Sequence, residues 1–387
     1  MRLRETHRFG APLPRHVVII RALRGLGDIL CAVPAFRALR AAFSDAHIAL
    51  IGLPSVAPLI SRFDRYLDEL IEFPGYPGIP EVPFQPRRLQ SFLAAMQDRQ
   101  IDLALQMHGS GIITNQFTRL LGARHSAGFY LPGHFCPDHE RYLLYPAHEP
   151  EIRRLLQLLE HLGIPAQGEH LEFPLRKTDL LDLQSIDEVA ALQAGQYICI
   201  HPGASTAERR WPVVQFAVVA DALAAQGLQI VLTGSVAETE ITAAVARAMR
   251  APALDLAGKT GLGALAALLA RGQMLICNDT GVSHLAAALL LPSVVIFSGS
   301  DPDRWAPLDR RRHRVLGIPA PHSGCAHRGC TSDHCCIHDG CSQPVSPEQT
   351  ERVPATAECV LAEALDLLRS GIAAPVSAPR EEEVYVA

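Results

Sequence analysis

Short apolar runs ending in small, polar turns recur along the chain, and each is followed by apolar residues at helical spacing. Residues 17–23 read as a buried strand, because a strand covered on both faces carries an unbroken aliphatic run. The turn Arg24-Gly25-Leu26-Gly27 leads into a helix over about 28–43, with Ile29, Val33, Phe36, Leu39 and Phe43 on one face. Pro34 lies inside that pattern and predicts a kink or a late helix start. Residues 47–52 and 101–107 read as strands, 86–99 and 113–121 as helices, and the Pro- and Gly-rich residues 74–83 as a long irregular loop.

The second half repeats the scheme. Strands are expected at 197–201, 229–233, 274–277 and 294–297, and helices at 213–226, 238–249, 262–270 and 282–290. Such alternation builds right-handed βαβ units around a parallel sheet covered on both faces. The fold class expected is therefore α/β, with two doubly wound, Rossmann-like domains facing one another across a cleft. The expected bounds are 1–175 and 176–354, joined through a charged, leucine-rich stretch at 176–189. A helix at 355–368 follows, and an acidic, Pro-containing tail from 375 to 387 is expected to be disordered.

Composition narrows the class. The 387 residues suit two cores rather than one. At 48% hydrophobic and 19% charged the chain is globular, and its net charge of −5 argues against a nucleic-acid partner. The basic first ten residues have no apolar stretch behind them of the kind a signal peptide carries. The apolar run 285–297 is broken by Pro292 and is too short to span a bilayer, so a cytoplasmic, soluble protein is expected. Among ten cysteines, Cys31, Cys136, Cys199, Cys277 and Cys359 are dispersed and read as reduced thiols.

Four turns carry the candidate chemistry. Residues 278–284, Asn-Asp-Thr-Gly-Val-Ser-His, lie between a buried strand and a helix, where free backbone N–H groups meet the positive end of a helix dipole and bind phosphate. Thr280 and Gly281 offer donors there, Asp279 reads as the helix cap, and His284 is either a phosphate contact or a core histidine. Arg209 and Arg210, in the loop after His201, either neutralise a pyrophosphate or form an exposed charge pair. Glu238 either accepts ribose hydroxyls or simply favours a helix start. In the first turn Gly25 and Gly27 allow close approach of a ligand, and Asp28 is either a helix cap or a general base. Leu30 stands where a third glycine would complete the dinucleotide fingerprint, which disfavours a nicotinamide enzyme.

Taken in order, these segments resemble glycosyltransferase family 9, the bacterial ADP-heptose:lipopolysaccharide heptosyltransferases. Gly25-Leu-Gly-Asp28, the stretch from Asp102 to His108-Gly109-Ser110, His201-Pro-Gly-Ala204, Arg209-Arg-Trp-Pro212, residues 278–284 and Asp301-Pro-Asp-Arg-Trp-Ala-Pro307 carry the likeness. The resemblance implies a GT-B fold, with the acceptor held mainly by the first domain and the nucleotide sugar by the second. It implies an inverting, metal-independent transfer with Asp28 as the catalytic base. Arg209, where family members often have Lys, would contact the donor phosphates beside Arg210; Glu238 would face the ribose; Asp279, Thr280, Gly281 and His284 would form the pyrophosphate turn. Gly25, Gly27, His108 and Ser110 would lie on the acceptor side. No cofactor is implied for catalysis. The partners implied are a nucleotide-sugar donor, a lipopolysaccharide-type or other glycan acceptor, and peripheral contact with the inner face of the inner membrane.

Two features stand outside this pattern. Cys325, Cys330, Cys336 and Cys341 crowd together with histidines and form either a structural Zn²⁺ site or a loop of reduced thiols, although their spacing is not a standard zinc pattern. Arg310-Arg311-Arg312-His313-Arg314 is either a solvated face or an attractor for anionic headgroups. Two other functions share the same donor pocket: a sugar-nucleotide epimerase or hydrolase that needs no acceptor, and a non-catalytic nucleotide-sugar-binding protein.

Overall fold

The aliphatic runs become the inner strands of two parallel sheets. The computed structural model describes residues 8–9, 12–317 and 355–372. The described residues divide into two compact units, with the change between His170 and Leu171.

In the first unit β1 (His16–Ile20), β2 (His47–Gly52), β3 (Glu69–Glu72), β4 (Leu103–Gln106), β5 (His125–Tyr130) and β6 (Tyr142–Leu144) pair in parallel in the order β3-β2-β1-β4-β5-β6. Helices α1 (Leu26–Leu30), α2 (Val33–Ala42), α3 (Ala57–Ile60), α4 (Pro86–Asp98), α5 (Thr114–Leu120) and α6 (Glu151–His161) belong to the same unit. The helix expected over 28–43 is two helices. Cys31 and Ala32 interrupt it, and Pro34 sits in the first turn of α2, where its missing N–H costs no helical bond. One core beneath this sheet gathers Val18, Ile20, Ala49, Ile51, Phe73 and Phe117.

The second unit holds β7 (Tyr197–His201), β8 (Gln229–Leu232), β9 (Ala253–Asp255), β10 (Met274–Asn278), β11 (Ser293–Phe297) and β12 (His313–Gly317), in the order β12-β11-β10-β7-β8-β9. Read from its other edge this is the strand order of the first unit. Its helices are α7 (Lys177–Gln184), α8 (Val213–Ala224), α9 (Thr239–Ala248), α10 (Leu262–Arg271), α11 (Gly281–Ala288), α12 (Pro302–Trp305) and α13 (Ala357–Arg369). The charged stretch at 176–189 is structured: Asp179 accepts from the Arg176 N–H at 2.8 Å, which starts α7, and α7 packs on α10. Helix α13 docks on α8, where Trp211 Nε1 donates to Ala355 O at 2.8 Å and Gln215 Oε1 accepts from Ala357 N at 3.0 Å.

Strands β3, β5, β6, β9 and β12 were not expected from the pattern. The edge strands β3, β6 and β9 are four residues or fewer, too short to show a period. In β12 the arginines of the basic run mask a buried strand.

Candidate active site

Ligands of open α/β sheets collect beyond the carboxyl ends of the strands, where the strand order reverses. That point lies between β1 and β4 in the first unit and between β7 and β10 in the second. The turns singled out from the sequence leave these four strands or the adjacent β8.

In the first unit β1 runs directly into α1. Gly25 is the residue preceding the helix and Asp28 lies in its first turn, so Asp28 is not the N-cap that spacing also allowed. A Cβ on Gly25 would collide with Asp28 Oδ2, so glycine at this position lets the carboxylate fold back over the helix start. Beneath it Arg21 is fully buried, its Nε donating to Asp28 O at 2.9 Å and its Nη1 to Met107 O at 2.7 Å. Its Nη2 meets Glu151 Oε1 at 3.0 Å, and Glu151 Oε2 takes a second arginine, Arg154, at 2.6 Å.

The loop after β4 is pinned from below by Gln106, which donates to Gly109 O at 3.2 Å and to Thr114 Oγ1 at 2.6 Å and accepts from Phe129 N at 3.0 Å. Gly109 and Gly111 both have positive φ, which lets the loop turn sharply around His108 and Ser110. His108 Nδ1 accepts from Ala22 N at 3.2 Å, and its Nε2 lies 3.6 Å from Glu81 Oε1, a carboxylate buried in the 74–83 loop. The Ser110 hydroxyl is buried with no hydrogen-bond partner among the described residues. Gly25, Gly27 and Asp28 at the start of α1, and His108 and Ser110 in the loop after β4, therefore all lie at the reversal point of this sheet.

In the second unit Asn278 ends β10 and ties down both ends of the loop between β7 and α8. Its Oδ1 accepts from Trp211 N at 2.9 Å and its Nδ2 donates to Pro202 O at 2.8 Å and Gly203 O at 3.2 Å. The expectation that Asp279 caps the next helix is corrected: Thr280 is the N-cap of α11, its Oγ1 accepting from Val282 N. Asp279 instead receives Arg209 Nη2 and the Ser300 hydroxyl on its Oδ2 and is 2% exposed. A guanidinium 70 residues away, that of Arg209, draws the Asp279 carboxylate from the local cap because Thr280 already satisfies the helix start. Arg209 Nε is buried with no hydrogen-bond partner among the described residues. Arg210 turns back on its own loop, donating through Nε and Nη2 to Ala204 O at 3.1 and 3.0 Å.

Glu238 closes the turn after β8 at the N-cap position of α9, where its Oε2 accepts from Ser235 N and Oγ, both at 2.8 Å. A Cβ on Gly203 would strike its carboxylate, so glycine in the His201-Pro-Gly turn makes room for it. His201 Nε2 lies 3.8 Å from Glu238 Oε2, and its Nδ1 lies 3.1 Å from Thr233 Oγ1. Burial pulls the His201 imidazole below its ordinary pKa against the raising effect of Glu238. Burial pushes the Glu238 carboxyl the other way, but the Ser235 N–H, His201, the Ser235 hydroxyl and Arg210 together hold it below the usual carboxylate range. His284 is 3% exposed on α11 and is among the groups that lower the pKa of the buried His313 of β12.

Sequence reasoning missed Arg21, Glu81, Glu151 and Ser300 as site residues. An arginine closing a run of four buried aliphatics was the available signal for Arg21. Glu81 and Ser300 sit in loops whose return to the site only the fold supplies.

Within the basic run only His313 is buried, while Arg310 and Arg311 are exposed and Arg312 and Arg314 are half-buried and paired. Arg312 Nη1 donates to Leu290 O at 3.0 Å, Arg314 pairs with Asp366 at 2.9 Å, and His313 Nδ1 lies 2.8 Å from Ser293 Oγ. The thiols of Cys199 and Cys277 are buried, and burial raises both above the ordinary cysteine value. The zinc set proposed from Cys325, Cys330, Cys336 and Cys341, and the tail at 375–387, lie outside the described residues. Asp301 and Asp303 are spaced as Asp-x-Asp, and Asp301 Oδ1 accepts from Asp303 N at the start of α12. No helix among the described residues is long and apolar enough to cross a membrane.

Comparison with known proteins agrees with this architecture. Lipopolysaccharide heptosyltransferase 2 of Escherichia coli (strain K12) is 26% identical over 313 residues, covering 77% of this chain and 87% of that protein. Lipopolysaccharide heptosyltransferase 3 of the same strain is 24% identical over 307 residues, covering 74% and 83%. Among solved structures, a family 9 glycosyl transferase from Veillonella parvula DSM 2008 superposes with a TM-score of 0.71 at 20% identity, covering 92% of this chain and 98% of that one. The E. coli ADP-heptose LPS heptosyltransferase II superposes at 0.65 with 21% identity, covering 92% and 99%. These likenesses give the two-unit α/β fold expected of a GT-B enzyme. The profile of glycosyltransferase family 9 (heptosyltransferase) matches residues 89–336, more than half of the chain, and the protein belongs to that family of glycosyltransferases.

Proposed function

We propose that this enzyme transfers a heptose from ADP-heptose to a hydroxyl of a lipopolysaccharide-type acceptor, with inversion at the transferred carbon and without a metal. In this reading the second unit holds the donor. The diphosphate lies against Thr280, Gly281 and the N-terminus of α11, with Arg209 alongside, and the ribose meets Glu238. The first unit holds the acceptor near His108 and Ser110, with Asp28 as general base. Asp28 takes the acceptor proton as the new O–C1 bond forms. The C1–O bond to the diphosphate breaks with its electron pair leaving on ADP.

The observation that carries the reading is the Arg209 guanidinium beside the start of α11. Its Nη2 neutralises Asp279, and its buried Nε has no partner among the described residues. A buried N–H that lacks an acceptor is costly, and a phosphate oxygen on the helix N-terminus would satisfy it. Fixed donors of this kind supply the leaving-group stabilisation that metal ions give elsewhere. The relatives' names support the choice of sugar and acceptor class.

The test is an assay of ADP release with ADP-heptose, with and without heptose-free lipopolysaccharide core, in buffer containing a chelator. Release that depends on the acceptor, persists under chelation and yields the opposite anomer supports the proposal. Full-rate donor turnover without acceptor would instead identify an epimerase or hydrolase.

A further inference from the structure

Arg21 is 0% exposed, so its side chain does not touch a substrate from the surface of the fold. Each of its three nitrogens reaches a different part of the first unit: the Asp28 carbonyl on α1, the Met107 carbonyl at the end of β4, and Glu151 at the start of α6. Glu151 is held in turn by Arg154. The Arg154 guanidinium also donates to Pro146 O at 3.0 Å, to Ala147 O and Glu149 O at 3.1 Å, and lies 4.5 Å over the Tyr145 ring. The result is one connected, buried Arg–Glu–Arg cluster beneath the reversal point of the sheet.

Stability does not account for such a cluster. Replacing a buried ion triad with apolar residues of similar volume is often neutral or stabilising. Its location offers a reason. Helix α1 has five residues and is closed by few backbone bonds of its own, among them Ile29 N to Gly25 O at 3.3 Å and Cys31 N to Gly27 O at 2.9 Å. A helix that short does not hold its shape unaided.

We propose that Arg21 is a positioning residue, fixing the Asp28 main chain through the buried Arg21–Glu151–Arg154 cluster so that the carboxylate above Gly25 points at the acceptor hydroxyl. The proposal rests on the reading of Asp28 as the base. Arginine is required because three separate acceptors are met by one planar fork, a geometry that a lysine ammonium does not reproduce.

The test compares the full-length Arg21→Lys, Asp28→Asn and Arg21→Lys/Asp28→Asn enzymes, with ADP-heptose and lipopolysaccharide core for rates and ADP for calorimetric binding. Misplacing a reacting group by about 1 Å costs about 100-fold in rate, and that loss in kcat is expected for Arg21→Lys, with the ADP Kd unchanged. Because Arg21 acts through Asp28, the double variant is expected to be no slower than Asp28→Asn alone. Three results overturn the proposal: an unchanged kcat in Arg21→Lys, an ADP affinity that falls in step with kcat, or losses that add in the double variant. If Arg21→Lys does not fold, Glu151→Gln, which keeps the volume and removes the charge that orients Arg21, carries the same comparison. Wild-type turnover in Asp28→Asn would remove the base reading itself, whereas an inactive Asp28→Asn beside a fast Arg21→Lys would remove this proposal alone.

Discussion

The two sheets share one strand order and present opposite chemistry at the point where that order reverses. In the first unit the charge below the site is buried and fixed, two arginines around one glutamate, and the group above it is a carboxylate. In the second unit the arginine sits beside the turn, partly exposed and paired with a buried aspartate, and the element above it is a helix N-terminus. Topology therefore supplies a place for a ligand, and the side chains at the first and fourth strands decide which ligand. A carboxylate at one such point suits proton removal; donors at the other suit a departing phosphate.

The largest expected effect separates the two points. Asp28→Asn should lower kcat by about 10²- to 10⁴-fold, the usual contribution of a general base, while ADP still binds with wild-type affinity. Calorimetry showing ADP affinity lost along with turnover would erase the distinction between the units.

The second unit carries a pH liability of its own. His313 is pushed down to about 4, first by burial, then by Arg312, His284 and Arg310, with Asp309 opposing. Its unfolded form titrates near 6.5, so the native state loses stability as pH falls from about 6.5 towards 4, where the unfolded imidazole binds a proton and the folded one does not. The loss should reach about 3 kcal/mol near pH 4, and His313→Gln should flatten the dependence of Tm on pH across that window. Identical slopes in the two proteins would place the acid sensitivity elsewhere.

Asn278→Ala breaks a joint that involves the second unit alone. It strands the Trp211 N–H and loses the bonds to the Pro202 and Gly203 carbonyls, which should cost about 2 kcal/mol in chemical denaturation. An unchanged midpoint would show that water replaces the amide. The smallest expected change is in Arg209→Met, where loss of one charged donor beside the turn should weaken ADP binding by about tenfold. A kcat effect without that weakening would move Arg209 from ground-state binding to the transition state.

Much of this molecule was legible in its sequence. The bounds of β2 and β7 and the start of α8 follow from unbroken aliphatic runs and from Pro212, because a doubly covered strand and a helix start impose local requirements on residue type. The turns bearing Asp28, Arg209, Glu238 and Thr280 were found for the same reason: a strand passing into a helix needs small or capping residues wherever it occurs. What the sequence left open at Asp28, cap or base, the fold narrowed by giving the cap position to Gly25.

Partners brought from a distance were not legible. Arg209 meets Asp279 across 70 positions, Arg21 meets Glu151 across 130, and Glu81 reaches His108 from an irregular loop. Sequence by itself determined where most of the inner strands lie and hence where the candidate turns fall, since hydrophobic runs and turn residues act over a few neighbours. Tertiary structure alone decided which charges neutralise one another there. Ion pairing in a buried site depends on distance through space and on exclusion of water, and neither is written in the order of residues along the chain.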